Sequence, residues 1–190
     1  MCGFGKKLEA LLERDGLVAT WRRINANMES GLREFCELDG RGEAVPHQHP
    51  SARRRIVLTD VYCQITEQIG HLAAMSVAVK TPTFGIRVPD VVWMPPDKWE
   101  AFDREAPVPF VPDLCVEVLL DRKMPQDIDM RVRAYLEGGA HEVIVVGQHG
   151  ELHFRGANGS RQASTFGLTL SLDRMYFDKV APSSAPNVRC

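Results

Sequence analysis

Two acidic residues stand inside runs that are otherwise apolar. Asp90 interrupts IRVPDVVWM (residues 86–94), and Glu117 interrupts LCVEVLL (residues 114–120). Both runs read as β-strands, in which side chains alternate between the two faces. On that alternation Asp90 shares a face with Val88 and Val92, and Glu117 with Cys115 and Leu119. An ionised carboxylate buried alone costs several kcal/mol, so each must be paired, protonated or metal-bound. Two acids on neighbouring strands also repel and raise each other's pKa. A divalent cation removes that conflict. An all-oxygen ligand set suits Mg²⁺, which keeps several waters and takes one or two carboxylates beside a phosphate. The bland alternative is an ion pair with an arginine such as Arg87 or Arg131 and no metal at all.

The elements that must carry these acids follow from periodicity. Leu58, Val61, Ile65, Ile69 and Leu72 recur at helical spacing, with Ser51 placed to cap the helix. Short strands are expected over residues 76–80 and 85–94, and the central strand over residues 114–120. The intervening Pro-rich stretch, residues 95–112, is long for a structureless connection and is flanked by Trp93 and Trp99, which could pack or stack on bases. A second helix opens at Pro125 with Ile128, Val132, Tyr135 and Leu136 as its stripe, and Gly138-Gly139 ends it. Residues 142–146 and 151–154 form two strands around a turn, and residues 168–172 one more. The Asp39-Gly40 and Gly42 turn signals suggest a hairpin or loop within residues 33–49. The result is a single α/β (α+β) domain, helices packed on a mixed sheet, preceded by a helical extension (residues 1–32) and followed by a flexible tail (residues 179–190).

Composition limits the class. The 190 residues are 44% hydrophobic and 25% charged, which is globular, and the net charge of -2 shows no global excess for a polyanion. No apolar run nears the roughly 20 residues that span a bilayer. Five cysteines without a CxxC argue against a disulfide framework or zinc ribbon, so a reducing, cytoplasmic home is expected. His47 and His49 form an HxH without an evident third ligand.

The layout Val88-Pro89-Asp90-Val91-Val92, then Pro112-Asp113-Leu114 and Val116-Glu117-Val118-Leu119, then Tyr135-Leu136, Gly138-Gly139 and Glu142-Val143 resembles the PD-(D/E)XK nuclease superfamily. It is similar in particular to its Uma family of restriction-endonuclease-like proteins. Cys36-Glu37-Leu38-Asp39-Gly40 and Pro50-Ser51 resemble that family's N-terminal segments. The resemblance implies a restriction-endonuclease-like mixed sheet flanked by helices and Mg²⁺- or Mn²⁺-dependent hydrolysis of DNA. It implies Asp90 and Glu117 as metal ligands with the Val118 carbonyl as a third. Glu37 would be an accessory acid, Asp113 a supporting one, and a homodimer is a common arrangement. The pattern is also broken. The lysine expected two residues after the Glu is Leu119, the serine of the same segment is Leu120, and the relocated helical lysine is Arg131. Arg131 can hold a phosphate but cannot act as a base, and it also stands four residues from Asp127. Lys123 is the other candidate for the missing lysine. The histidine often found near Arg54 is absent. Arg53, Arg54 and Arg55 open a helix, where cations oppose the macrodipole, so contact with DNA phosphates or nearby acids is expected. The competing reading is an inactive nuclease fold that binds nucleic acid or protein.

Overall fold

A computed structural model describes residues 16–24, 26, 36–46, 50–103, 105–121 and 127–177. Lys123, His47, His49 and the 179–190 tail lie outside the described residues, as does much of 1–32. Strands β1 (Cys36–Leu38), β2 (Ala44–Pro46), β4 (Val79–Lys80) and β5 (Ile86–Arg87) form one sheet in the order β2-β1-β5-β4. The second sheet runs β10-β9-β8-β7-β6-β3. Its strands are β3 (Ala74–Met75), β6 (Val91–Trp93), β7 (Leu114–Val118), β8 (Glu142–Val146), β9 (Leu152–Gly156) and β10 (Gly159–Arg161). β7 pairs with β8 in parallel and with β6 antiparallel. A parallel neighbour needs a crossover, and helix α3 (Asp127–Glu137) lies in that connection.

Helix α1 (Ala52–Ile69) starts where the sequence indicates: the Ser51 side chain accepts the Arg54 N–H, and Gly70 closes the helix at φ 77°. Its buried stripe is Arg54, Val57, Leu58, Val61 and Ile65. That stripe packs with Val91, Leu114, Val116 and Val118. On the other side of the sheet, Tyr135 of α3 packs with Val92, Cys115, Val143 and Val145. β7 and β8 are therefore buried on both faces, which explains their continuous apolar runs. Residues 16–24 are helical. Leu17, Trp21 and Ile24 cover Leu38 and Ile86 in a third, smaller cluster.

Two sequence expectations are corrected, and the length of the 95–112 stretch is accounted for. The run 85–94 is not one strand. It breaks at Val88-Pro89-Asp90 and passes from the first sheet to the second. Pro89 has no N–H to give a ladder, and the Val88 N–H is taken by Glu37 Oε1 at 2.9 Å. Residues 95–112 are not structureless. They contain helix α2 (Pro96–Glu100), and Trp99, Phe102 and Phe110 line the core. Trp93 is buried edge-on to Phe166 at 5.5 Å, so both tryptophans serve packing. Residues 168–172 form no strand, because their backbone partners are side chains. Gln68 exchanges hydrogen bonds with Thr169 (2.8 and 3.0 Å), and Gln64 with Ser171 (2.8 and 2.9 Å).

Gly85 fixes β5 against β1. Its φ is +80°, and a Cβ there would lie 2.2 Å from the Leu38 carbonyl oxygen and 2.3 Å from that of Asp39. The left-handed backbone and the backbone clash act together, so Gly85→Ala is expected to cost about 2–4 kcal/mol. A lowered urea midpoint with unchanged slope would report it.

Candidate active site

The break at residues 88–90 determines where the first acid goes. Asp90 N–H donates to the Val116 carbonyl at 3.0 Å, while the register partner of Val116 is Val91. Two residues thus meet one, the pattern of a β-bulge, which re-aims a side chain. The Asp90 carboxylate turns toward α1 instead of following Val92. Both of its oxygens lie 2.7 Å from Nη2 of Arg54, and Oδ2 accepts the Val118 N–H at 2.7 Å. Arg54 Nε donates to the Val118 carbonyl at 3.2 Å. One guanidinium therefore bridges Asp90 and Val118, two of the three metal ligands that the resemblance implies.

Glu117 keeps the face that alternation assigns it, beside Cys115 and under α3. It is fully buried. Its Oε1 accepts Arg131 Nε at 2.9 Å and the Tyr135 hydroxyl at 2.6 Å. Arg131 also grips Glu37 with two bonds of 2.7 Å and donates to the Val88 carbonyl at 3.1 Å. Arg87 Nη1 adds a bond to Glu37 at 3.2 Å. Arg131 is 1% exposed and its three guanidinium nitrogens are all engaged inside the protein. Its pairing with Asp127 is longer, 3.7 Å, and reaches a half-exposed partner. Glu37, a hairpin acid by sequence, is thus a buried member of the same network.

Burial by itself raises the Glu37 carboxyl. The Arg131 charge and hydrogen bonds, the Val88 N–H and Arg87 outweigh it and bring the pKa from 4.5 down to about 2. Burial opposes the charge on Arg131, but Glu117, Tyr135 and Glu37 hold its pKa well above the ordinary value. Burial pushes the Tyr135 phenol up, with Glu117 adding to it against Arg131, so the hydroxyl stays a donor. The Cys115 thiol is also raised, by burial first and then by Glu117 and Asp113.

The other expected residues fall into place around this core. Asp113 sits at the opposite end of β7 from Glu117 and holds Lys98 Nζ at 2.8 and 2.7 Å. Its carbonyl accepts the N–H groups of His141 and Glu142, tying β7 to the start of β8. Arg53 and Ser51 both donate to Asp121, whose carboxyl these bonds hold below its ordinary pKa. Arg55 is the exposed member of the arginine run. The acids Asp90 and Asp121 thus offset the charges of Arg54 and Arg53, which a helix N-terminus disfavours. That electrostatic signal was present in the sequence and called for nearby acids, without naming them.

Whether this donor set fits a divalent ion turns on its chemistry and its present contacts. Asp90, Glu117 and the Val118 carbonyl are all hard oxygens, as Mg²⁺ requires, but the two that meet are Asp90 and Val118, with Glu117 held from the α3 side. The position is already a cation's, since Arg54 rests on Asp90 and Val118 together. A divalent ion can take these oxygens only after Arg54 has left them. Among the described residues, no group of three or more His, Cys, Asp or Glu side chains is placed to hold a metal ion. None of the described helices is long and apolar enough to cross a membrane.

No curated protein matches the chain. The fold is similar to the crystal structure of "a putative nuclease belonging to DUF820" from Anabaena variabilis ATCC 29413. The TM-score is 0.56 at 10% identity, over 66% of this chain and 80% of that one. The likeness is one of fold, a mixed α+β arrangement of sheets flanked by helices. Residues 32–175 match the model of the Uma2 family, described as "Putative restriction endonuclease". The match covers both sheets, α1 and α3, including Glu37, Arg54, Asp90, Glu117 and Arg131, and the chain belongs to the Uma2 family.

Proposed function

We propose that this protein is a metal-dependent endonuclease acting on DNA in the cytoplasm, with a low rate set by the arginines on its acids. The observation that carries the reading is the adjacency of β6 and β7, which brings Asp90 against Val118 through a direct hydrogen bond. Family membership supports the same reading. Asp90 and the Val118 carbonyl, which Arg54 bridges, would hold Mg²⁺ or Mn²⁺, while Glu117 lies on the α3 face of the same strand. When bound, such an ion supplies a water of lowered pKa and neutralises charge at the scissile phosphate.

The remaining roles belong to the chain. Arg131 and Tyr135 fix the orientation of Glu117. Glu37 in turn fixes Arg131. With its nitrogens spent on Glu37, Glu117 and Val88, Arg131 acts as a positioning residue and not as a phosphate contact. Arg55, exposed on the first turn of α1, is suited to touch the DNA backbone, with Arg53 beside it. Asp113 stabilises the far end of the central strand. Lys123 would be the basic group at the phosphate, in place of the lysine that nucleases of this superfamily have two residues after the Glu.

One observation favours the binding-module reading. Among the described residues, the carboxylates of Glu37, Asp90 and Glu117 are matched by the guanidiniums of Arg54, Arg87 and Arg131. Such a network needs no divalent ion to be neutral. A cleavage assay decides between the readings. Wild type is expected to nick supercoiled DNA slowly in Mn²⁺ or Mg²⁺, and EDTA is expected to stop it. Arg54→His should be at least tenfold faster, and Asp90→Ala inactive. Absence of cleavage by both wild type and Arg54→His, with DNA still retarded in a gel, would overturn the enzyme reading and leave a binding module.

A further inference from the structure

We infer that Arg54 is a tethered cation that competes with a divalent metal for one donor set, the Asp90 carboxylate and the Val118 carbonyl. The inference takes the identity of the metal from the reading above; the placement of Arg54 does not depend on it. The guanidinium engages both ligands at once, at 2.7 Å from each Asp90 oxygen and 3.2 Å from the Val118 oxygen. It is 4% exposed, so water screens the contact little. Its backbone is fixed as well. Arg54 N–H is capped by Ser51 at 3.1 Å, and both Ser51 and Arg53 are anchored to Asp121. Asp121 can hold them because it turns at φ 62°, a conformation Asp tolerates better than most residues.

A cation anchored beside its site, as Arg54 is through Ser51 and the first turn of α1, has a high effective concentration there. The apparent metal affinity then falls by the fraction of molecules in which Arg54 has swung away: a site open in about 1% of molecules binds about 100-fold more weakly. Arg131 does not compete in this way. It approaches Glu117 from α3 and is fixed by Glu37 and the Val88 carbonyl. Arg54, by contrast, occupies the Asp90–Val118 donor set itself.

The test is calorimetric titration of MnCl₂ into EDTA-stripped full-length protein at pH 8. Wild type, Arg54→Ala, Arg54→Lys and the Arg54→Ala/Asp90→Asn double variant are compared. Arg54→Ala is expected to bind Mn²⁺ at least tenfold more tightly than wild type. Its Tm should rise by several degrees in Mn²⁺ while that of wild type does not, because a ligand stabilises only the state it binds. Arg54→Lys, which keeps the charge, should stay close to wild type, and the double variant should lose the gain. A folded Arg54→Ala that binds no more tightly than wild type overturns the competition. So does a gain that survives Asp90→Asn. If Arg54→Ala is unfolded without metal, Mn²⁺ should refold it, and Arg54→His, which can still donate to Asp90, is read by the same criteria. Failure of Mn²⁺ to restore either fold also overturns it. Tighter Mn²⁺ binding without DNA cleavage would keep the competition and remove the nuclease reading. Cleavage by wild type with no gain in Arg54→Ala would do the reverse.

Discussion

Arg131→Met is expected to cost on the order of 3–5 kcal/mol of stability, the range for breaking a buried ion pair from one side. The substitution keeps most of the side chain's volume but removes the charge that Glu37 and Glu117 share. Both acids are at most 1% exposed, so water cannot take over. Arg87 and Tyr135 would remain, each with a single bond into the network, and neither can replace a guanidinium that spans Glu37, Glu117 and the Val88 carbonyl. For a domain of this size the loss corresponds to a fall in Tm of roughly 6–20 °C. Arg131→Lys keeps a charge but not the planar fork, so it should lie between the two. Arg133 on the exposed side of the same helix is the control. Its pairing with Glu137 is 3.9 Å long with both side chains about half exposed, and Arg133→Ala should move Tm by little more than experimental error. Equal effects at 131 and 133 would mean that the network does not hold α3 to the sheet.

Acid should undo the same network in a defined window. The pKa of Glu37 is depressed from 4.5 to about 2 in the folded protein. A depressed carboxyl contributes its stability above the unfolded value and loses it as pH falls through the folded one. The contribution is therefore present at pH 7 and disappears between about pH 4.5 and pH 2. A shift of that size corresponds to roughly 3 kcal/mol at neutral pH. Urea midpoints at pH 7, 5, 4 and 3 should fall steeply for wild type over the last two steps. Glu37→Gln should be less stable at pH 7 and show a shallower fall, since the titrating group is gone. Parallel pH profiles for the two proteins would show that Glu37 is not the group responsible.

Much of the scaffold was legible locally. The Ser51 cap, the stripe of α1, the central strand around Glu117 and the stripe of α3 each follow from neighbours within a few residues, because capping and periodicity are local physics. The pairings that define the site are not local. Glu37 meets Arg131 across 94 residues, and Asp90 meets Arg54 across 36. The sequence marked each as an oddity, an acid in a strand or a cation at a helix N-terminus, without saying which oddity resolves which. Alternation also failed at Asp90, because Pro89 ends one sheet and the bulge against Val116 starts the next. Glu117 lies in an unbroken strand, so alternation held there. Tyr135 was assigned only to the apolar stripe of α3. Its hydroxyl became part of the site because burial obliges it to find an acceptor, and Glu117 is the acceptor it meets.

The Arg54 guanidinium rests on the Asp90 carboxylate and the Val118 carbonyl, the donor set proposed for a divalent ion. Crystals grown in MnCl₂, with anomalous diffraction collected at the manganese edge, test this most directly. Wild type should show the Arg54 guanidinium within hydrogen-bond distance of Asp90 and the Val118 carbonyl and no manganese between them, while Arg54→Ala should show a manganese peak at that position. A manganese ion bound to Asp90 in wild type with Arg54 still in contact with it would contradict the account.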